Sequence, residues 1–289
     1  MQTDNLPAVC SNGLLDSGGG AKNLLSEAKE IFSSGGGTQS TAITALIVQG
    51  RLPRPDVVII SDTGYEKATT WQYLDAVIRP ELAKIGLEVH RVGTEWATQP
   101  EHGNRFVSHN GNTVLIPGFT SQVVGSTGKL DGFCSKTWKV EPVNRYLRKV
   151  LGIPTAQQKK WIGFSLDESR RAMRMMNGQE YRKGLIRFPL IHDVPLRRAE
   201  AISIVQQMGW PTPPRSACYL CPNMADDEWR DISPDELAQA GELERELQKH
   251  DPHVWLHKSC QPIETIDFTK PDDQPELFER ACSSGVCFV

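Results

Sequence analysis

Two sets of residues in this 289-residue chain have types and spacings that suit chemistry. One is a glycine turn, Ser34-Gly35-Gly36-Gly37-Thr38-Gln39-Ser40, which follows the strand-like Ile31-Phe32-Ser33 and precedes a helical apolar pattern. Glycine lets the backbone reach positive φ and approach an anion closely, and the free N–H groups of a first helical turn point at whatever lies there. The turn is not a Walker A loop, because no lysine stands between Gly35 and Thr41. As a dinucleotide fingerprint, Gly35-x-Gly37-x-x-Ser40 with Asp62 downstream lacks its third glycine. A tight turn without a ligand is the plain alternative.

The second set is cysteine. Cys218-Tyr219-Leu220-Cys221 brings two thiols within reach of one metal centre, and further ligands must come from distant cysteines. Cys134, Cys282 and Cys287 are the candidates, with Cys10 and Cys260 completing the seven. A redox dithiol and inert packing remain alternatives to metal, although no thioredoxin-like context surrounds the pair. In Cys134-Ser135-Lys136-Thr137-Trp138-Lys139 a thiol stands among cations that favour thiolate and also suit phosphate or sulfate. Asp167-Glu168-Ser169-Arg170-Arg171, after the strand-like Trp161 to Ser165, offers arginine forks that match phosphate oxygens; an exposed salt-bridged loop explains it equally well.

These residues need a scaffold, and the apolar periodicity supplies one. Ala42, Ile43, Ala45, Leu46 and Ile47 form a helix face ending at Gly50, and Asp56 to Ser61 reads as a buried parallel strand. Together with the strand before the glycines they make a βαβ unit, with Asp62-Thr63-Gly64 at the carboxyl end of the second strand, where open α/β sheets bind ligands. A helix through Trp71, Leu74, Ile78, Leu82 and Ile85, divided at Pro80, leads to a strand over Leu87 to Val92. Residues 95 to 130 read as a long loop with one short strand at Thr113 to Ile116. Amphipathic helices are predicted at Pro142 to Val150 and Leu196 to Met208. Ser233-Pro234-Asp235-Glu236 is a capping box opening a helix through Leu247.

Composition bounds the class. The chain is 39% hydrophobic and 23% charged, as ordinary globular proteins are, and has no run of 18 apolar residues. It reads as a cytoplasmic protein without membrane association, and the cysteine content then argues against a disulfide framework. The net charge of −3 hides an asymmetry: Lys136 to Arg198 carries 15 basic against 5 acidic residues, and Asn223 to Arg280 carries 6 against 16. A basic middle beside an anion-binding turn suggests a polyanionic ligand, a nucleotide or a nucleic acid; two oppositely charged faces that attract each other are the alternative. The organisation expected is a flexible leader at 1–22, a nucleotide-binding domain at 23–210 and a metal-binding helical region at 211–289.

As an ordered set, Gly35 to Ser40, Ser61-Asp62-Thr63-Gly64, Phe133-Cys134 with Lys136 and Lys139, Asp167-Glu168, Phe188-Pro189-Leu190, Pro214 to Pro222 and Glu228-Trp229-Arg230 resembles the phosphoadenosine phosphosulfate reductase family of PP-loop enzymes, in its phage and mobile-element branch. The resemblance spans roughly residues 28 to 232 and implies an α/β fold. That fold is a doubly wound parallel sheet with a mainly helical, cysteine-bearing C-terminal extension. It implies that Ser34, Gly35, Gly36, Gly37, Thr38, Gln39 and Ser40 hold the phosphates of ATP or a related adenine nucleotide. Asp62, Thr63 and Gly64 then stand near adenosine, and magnesium is an additional candidate ion. Lys136, Lys139 and Arg170 are expected to neutralise developing charge. Cys134, Cys218, Cys221 and Cys287 are expected to bind a [4Fe-4S] cluster, with zinc as the alternative. Relatives adenylate an acceptor with ATP, often for sulfur insertion, or reduce a sulfonucleotide to sulfite. The partners implied are a nucleotide or nucleic-acid acceptor and a sulfur or thiol donor protein, with homo-oligomerisation open; a non-catalytic nucleotide-binding module with structural zinc is a third reading. Two departures stand out. Gln39 replaces the family's aspartate, and the tail around Cys282 and Cys287 lacks the histidine of the reductase motif.

Overall fold

A computed structural model describes residues 28–99, 103–108, 111, 113–121 and 128–269. The expected leader at 1–22 and Cys10, Cys282 and Cys287 lie outside the described residues. Strands β1 (Lys29–Ser34), β2 (Val57–Ser61), β3 (Val89–Val92), β6 (Gln158–Trp161) and β7 (Ile186–Arg187) form one sheet of five in the order β3-β2-β1-β6-β7, and every pairing is parallel. Strands β4 (Gly118–Thr120), β5 (Gly128–Leu130) and β8 (Val254–Trp255) make a small antiparallel sheet in the order β5-β4-β8. The helices are α1 (Thr38–Val48), α2 (Ala68–Tyr73), α3 (Arg79–Lys84), α4 (Glu141–Lys149), α5 (Ser169–Met176), α6 (Gln179–Arg182), α7 (Arg198–Gln207), α8 (Asp226–Arg230) and α9 (Pro234–Gln248).

Alternation along the strands builds a core on each face of the large sheet. Phe32, Val58 and Ile60 point to one side, where they meet Ile43 and Leu46 of α1, Leu74, Leu82 and Ile204 of α7. Ile31, Val57, Ile59 and Val92 point to the other, against Val143 and Leu147 of α4. The sheet is therefore doubly wound, with buried parallel strands covered by helices on both sides. A separate apolar cluster joins Ile116, Trp138, Tyr219, Trp229, Leu243, Leu247 and Val254, so α9 and the small sheet share a core with the cysteine segment.

Pro80 divides the long second helix as expected. Without an N–H it cannot donate to the carbonyl four residues back, and the preceding Leu74–Ile78 is wound as a π-turn between α2 and α3. Several local readings shift. Thr113 to Ile116 is not a strand; Val114 makes one isolated bridge to Val107, and the paired strands are β4 and β5. The strand read at Trp161 to Ser165 lies earlier, at Gln158–Trp161, because Lys159 and Lys160 hide its apolar pattern. Ser169 to Met176, read with its acids and arginines as loop, is helix α5. Among the described residues no helix is long and apolar enough to cross a membrane.

The two-sided core gives a direct stability contrast. Leu46→Ala, at a fully buried position of α1, is expected to lower unfolding free energy by about 2–5 kcal/mol. Met173→Ala, on the exposed side of α5, should stay within about 0.5 kcal/mol, both read from urea unfolding.

Candidate active site

The chain leaves β1 to build β2 and β3 on one side and later builds β6 and β7 on the other. The carboxyl ends of β1 and β6 are thus the place where successive connections diverge, and a crevice forms there in open α/β sheets. The glycine turn stands on the β1 side of this point. Gly36 has φ +73°, and a Cβ there would lie 2.9 Å from Thr70 Cγ2 and 3.4 Å from Ile60 Cδ1, so both conformation and space require glycine. The Gly35 N–H donates to Ser40 Oγ at 2.8 Å and the Gly36 N–H to Ser34 Oγ at 3.3 Å, which fixes the curl of the turn. Helix α1 begins at Gly37 with no side-chain cap and no acid in its first turn, the arrangement that favours an anion.

Across the crevice, Gly163 lets the end of β6 approach α1; a Cβ there would be 3.6 Å from Ser40 Oγ and 3.7 Å from Gln39 Cβ. Gln39 Nε2 donates to Glu168 Oε2 at 3.0 Å, and Arg171 donates to the other carboxylate oxygen of Glu168 while its guanidinium lies 4.6 Å from the Phe164 ring centre. This explains the neutral residue at 39. An aspartate would face the Glu168 carboxylate, whereas an amide bonds to it. Asp167 turns away to accept the Arg198 N–H at 2.6 Å.

The β2 end is tied down rather than open. One Asp62 carboxylate oxygen accepts the Gly64 N–H at 2.7 Å, and the other accepts two bonds from Arg91 at 2.8 and 2.6 Å. Arg91 in turn stacks 3.8 Å over Trp71. The Thr63 hydroxyl shares a hydrogen bond with Cys218 Sγ at 3.2 Å, so Thr63 faces the cysteines.

The cysteine segment is joined to this end of the sheet by main-chain pairing. Lys67 N–H donates to the Ala217 carbonyl and Tyr219 N–H to the Tyr65 carbonyl, with Glu66 bridging Cys218 between them. Ser216 comes to rest against the glycine turn, its Cβ 3.6 Å from where a Gly37 Cβ would be. At the centre is a buried ion pair, Lys139 Nζ to Glu66 Oε1 at 2.9 Å, with side chains 13% and 3% exposed. Ser216 Oγ donates to Glu66 at 3.5 Å and Cys218 Sγ at 3.7 Å. Burial works against the Lys139 ammonium, yet the Glu66 carboxylate and negative charge at Cys218 outweigh it and hold its pKa above the ordinary lysine value.

The structure therefore places the expected site residues unevenly. Ser34 to Ser40 meet the β6 loop and Ser216, as one crevice. Lys139 is bound to Glu66 among the cysteines, while Lys136 and Arg170 are exposed. Of the two adjacent arginines, Arg171 rather than Arg170 is buried against Glu168. Glu66 and Arg105 carry much of the geometry and were not singled out in the sequence, whereas Ser216 and Arg171 stood inside motifs without a role of their own. No local pattern pairs Glu66 with a lysine 73 positions away.

Cys134, Cys218 and Cys221 are all half-buried around this pair, packed against the cluster of Trp138, Tyr219 and Met224. Burial is the main force raising each thiol, Cys134 to about 11; the Glu66 carboxylate raises Cys218 and Cys221 further, and Lys139 lowers all three. The three thiols thus share one electrostatic environment. Among the described residues no group of three or more His, Cys, Asp or Glu converges closely enough for a single metal ion. In donor type, thiols suit either an iron–sulfur cluster or zinc.

Fold and site together define a doubly wound α/β protein with an uncapped glycine turn at its switch point and a three-cysteine environment beside it. No protein-family profile and no curated protein matches the chain. Among solved structures it is similar to the U34-tRNA thiolase NcsA from Methanococcus maripaludis with its [4Fe-4S] cluster, at 15% identity over 90% of this chain and 80% of that chain, with a TM-score of 0.40.

Two variant sets check this geometry. Gly36→Ala is expected to cost about 1–3 kcal/mol from the left-handed backbone alone, while Gly37→Ala, extended and with only ordinary contacts, costs less than about 1 kcal/mol. Glu66→Gln and Lys139→Met should each destabilise by about 3–5 kcal/mol, and the double variant should recover most of that loss, because the penalty comes from an uncompensated buried charge. Denaturant unfolding reads both; additive losses in the double variant would show that the two groups are not coupled.

Proposed function

We propose that this chain is a PP-loop enzyme of the phosphoadenosine phosphosulfate reductase type that uses ATP to adenylate an acceptor for sulfur insertion. The observation that carries the reading is the packing of the cysteine segment, through Ser216, directly on the glycine turn at the β1/β6 switch point. Nucleotide phosphates and a thiol centre would then meet in one place.

In this reading the main-chain amides from Gly37 to Ser40, which the curl of the turn leaves without a partner, bind the β- and γ-phosphates. An acceptor oxygen attacks the α-phosphorus, the bond to the bridging oxygen of pyrophosphate breaks, and pyrophosphate leaves with the electron pair. Preorganised donors supply most of such catalysis, and the turn is held in place before substrate arrives by Ser34, Ser40 and Ser216. The carbon bearing the adenylated oxygen is then open to hydrosulfide from a sulfur donor: the C–S bond forms, the C–O bond breaks, and AMP leaves with its electron pair. Glu168 is fixed at the edge of the crevice by Gln39 and Arg171, and magnesium would come with the nucleotide phosphates. Cys134, Cys218 and Cys221 would hold a [4Fe-4S] cluster, with Cys287 as the fourth ligand proposed from the sequence. When bound, such a cluster supplies a Lewis-acidic iron that can carry sulfur. The acceptor, a nucleotide or nucleic acid, fits the basic span from Lys136 to Arg198.

Anaerobically purified protein is expected to be brown, with iron and acid-labile sulfide near four each per chain. Cys134→Ala, Cys218→Ala and Cys221→Ala should each lose the colour. Labelled ATP should yield pyrophosphate only when an acceptor is present, and Gly36→Ala should reduce this by at least about tenfold. Colourless protein containing zinc would refute the cluster. Sulfite release from phosphoadenosine phosphosulfate without any ATP turnover would replace adenylation with sulfonucleotide reduction.

A further inference from the structure

A cleft of about 580 Å³ opens at the carboxyl end of β3, and neither the glycine turn nor Asp62 to Gly64 lines it. Its walls come from the segment after β3, from Arg105 and from the turn that follows Cys134. The volume lies within the roughly 300–1,000 Å³ typical of small-molecule sites.

The polar groups of this cleft are held in place by their own partners. Arg105 donates to the Thr63 carbonyl at 3.0 Å and to Thr94 Oγ1 at 3.1 Å, and its guanidinium lies 4.9 Å from the Tyr65 ring centre and 5.6 Å from that of Trp138. Glu95 folds back so that its carboxylate accepts the Gly93 N–H at 3.2 Å. That fold-back needs glycine, since a Cβ at position 93 would lie 2.1 Å from Glu95 Oε2. Glu141, in the first turn of α4, adds a second carboxylate to the wall, and Val107 and Leu115 add apolar surface.

Charge separates this cleft from the glycine turn. The lining holds two carboxylates, Glu95 and Glu141, and one guanidinium that is already bonded to protein oxygens; Arg145 beside the wall is likewise spent on the Ala97 carbonyl and Thr98 Oγ1, so the cleft disfavours anions while the turn favours them. Its occupant is a neutral or cationic group, flat enough for the apolar surface and carrying N–H donors for the acids. Amine-bearing nucleobases meet this description, because a carboxylate accepts well from an exocyclic amine such as that of cytosine. Location adds to the argument. Trp138 belongs to the turn just after Cys134, and Arg105 holds the carbonyl of the residue whose hydroxyl contacts Cys218.

We propose that this cleft is the acceptor pocket and takes an amine-bearing nucleobase, cytosine-like in its donor edge. Its role as acceptor pocket rests on the adenylation reading; the binding itself does not.

The test uses the full chain saturated with α,β-methylene ATP, so that nucleosides cannot occupy the glycine turn, with cytidine and uridine titrated by calorimetry. Cytidine should bind more tightly than uridine. Glu141→Lys should weaken cytidine by at least about tenfold, and Thr98→Trp, which fills the cleft from an exposed position, should remove binding, both with unchanged affinity for the ATP analogue. Absence of cytidine binding at millimolar concentration, tighter uridine than cytidine, or insensitivity to both variants would overturn the proposal. Loss of pyrophosphate release with cytidine binding intact would instead fault the adenylation reading alone.

Discussion

The buried ion pair between Glu66 and Lys139 is the contact on which the arrangement of this site depends. Glu66 follows β2, Lys139 follows Cys134, and the same carboxylate accepts from Ser216 and from Cys218. One acid therefore fixes three segments that are far apart in sequence. Ion pairs of this kind contribute little net stability compared with apolar groups of the same shape, but they penalise any arrangement that separates the charges. The pair specifies position. It holds the cysteines at the carboxyl end of the sheet, against the glycine turn.

Two electrostatic regions result, and they have opposite preferences. Uncapped amides at the start of α1 favour negative charge, and the carboxylate at the crevice edge is already satisfied by Gln39 and Arg171. Beyond the cysteines, the cleft after β3 is lined by acids around a committed arginine. The parallel sheet places both regions at its carboxyl end, the turn after β1 and the cleft after β3.

The contact between Gln39 and Glu168 shows how one loop sets what another can hold. Read along the chain, residue 39 is a neutral side chain in a glycine turn. In three dimensions Glu168 supplies an acid from the far side of the crevice, and the amide at 39 is what makes its approach favourable. The two loops are matched to each other.

The sequence by itself determined the parallel sheet, since strands buried on both faces must be apolar throughout and helices between them must carry an apolar stripe. It determined the glycine turn as well, because only glycine takes the backbone conformation seen at Gly36, and local stereochemistry is written locally. Strand β6 was misplaced and α5 was missed where lysines and arginines interrupted that pattern, their long stems lying along apolar surface while their charges obscure it. Tertiary structure alone decided which charged groups meet. Lys139 could have faced a phosphate, but pairs with Glu66; Arg170 and Arg171 are adjacent, yet only the second is buried against Glu168. Side-chain pairing across the fold depends on register and packing between segments, and no periodicity along one segment encodes it.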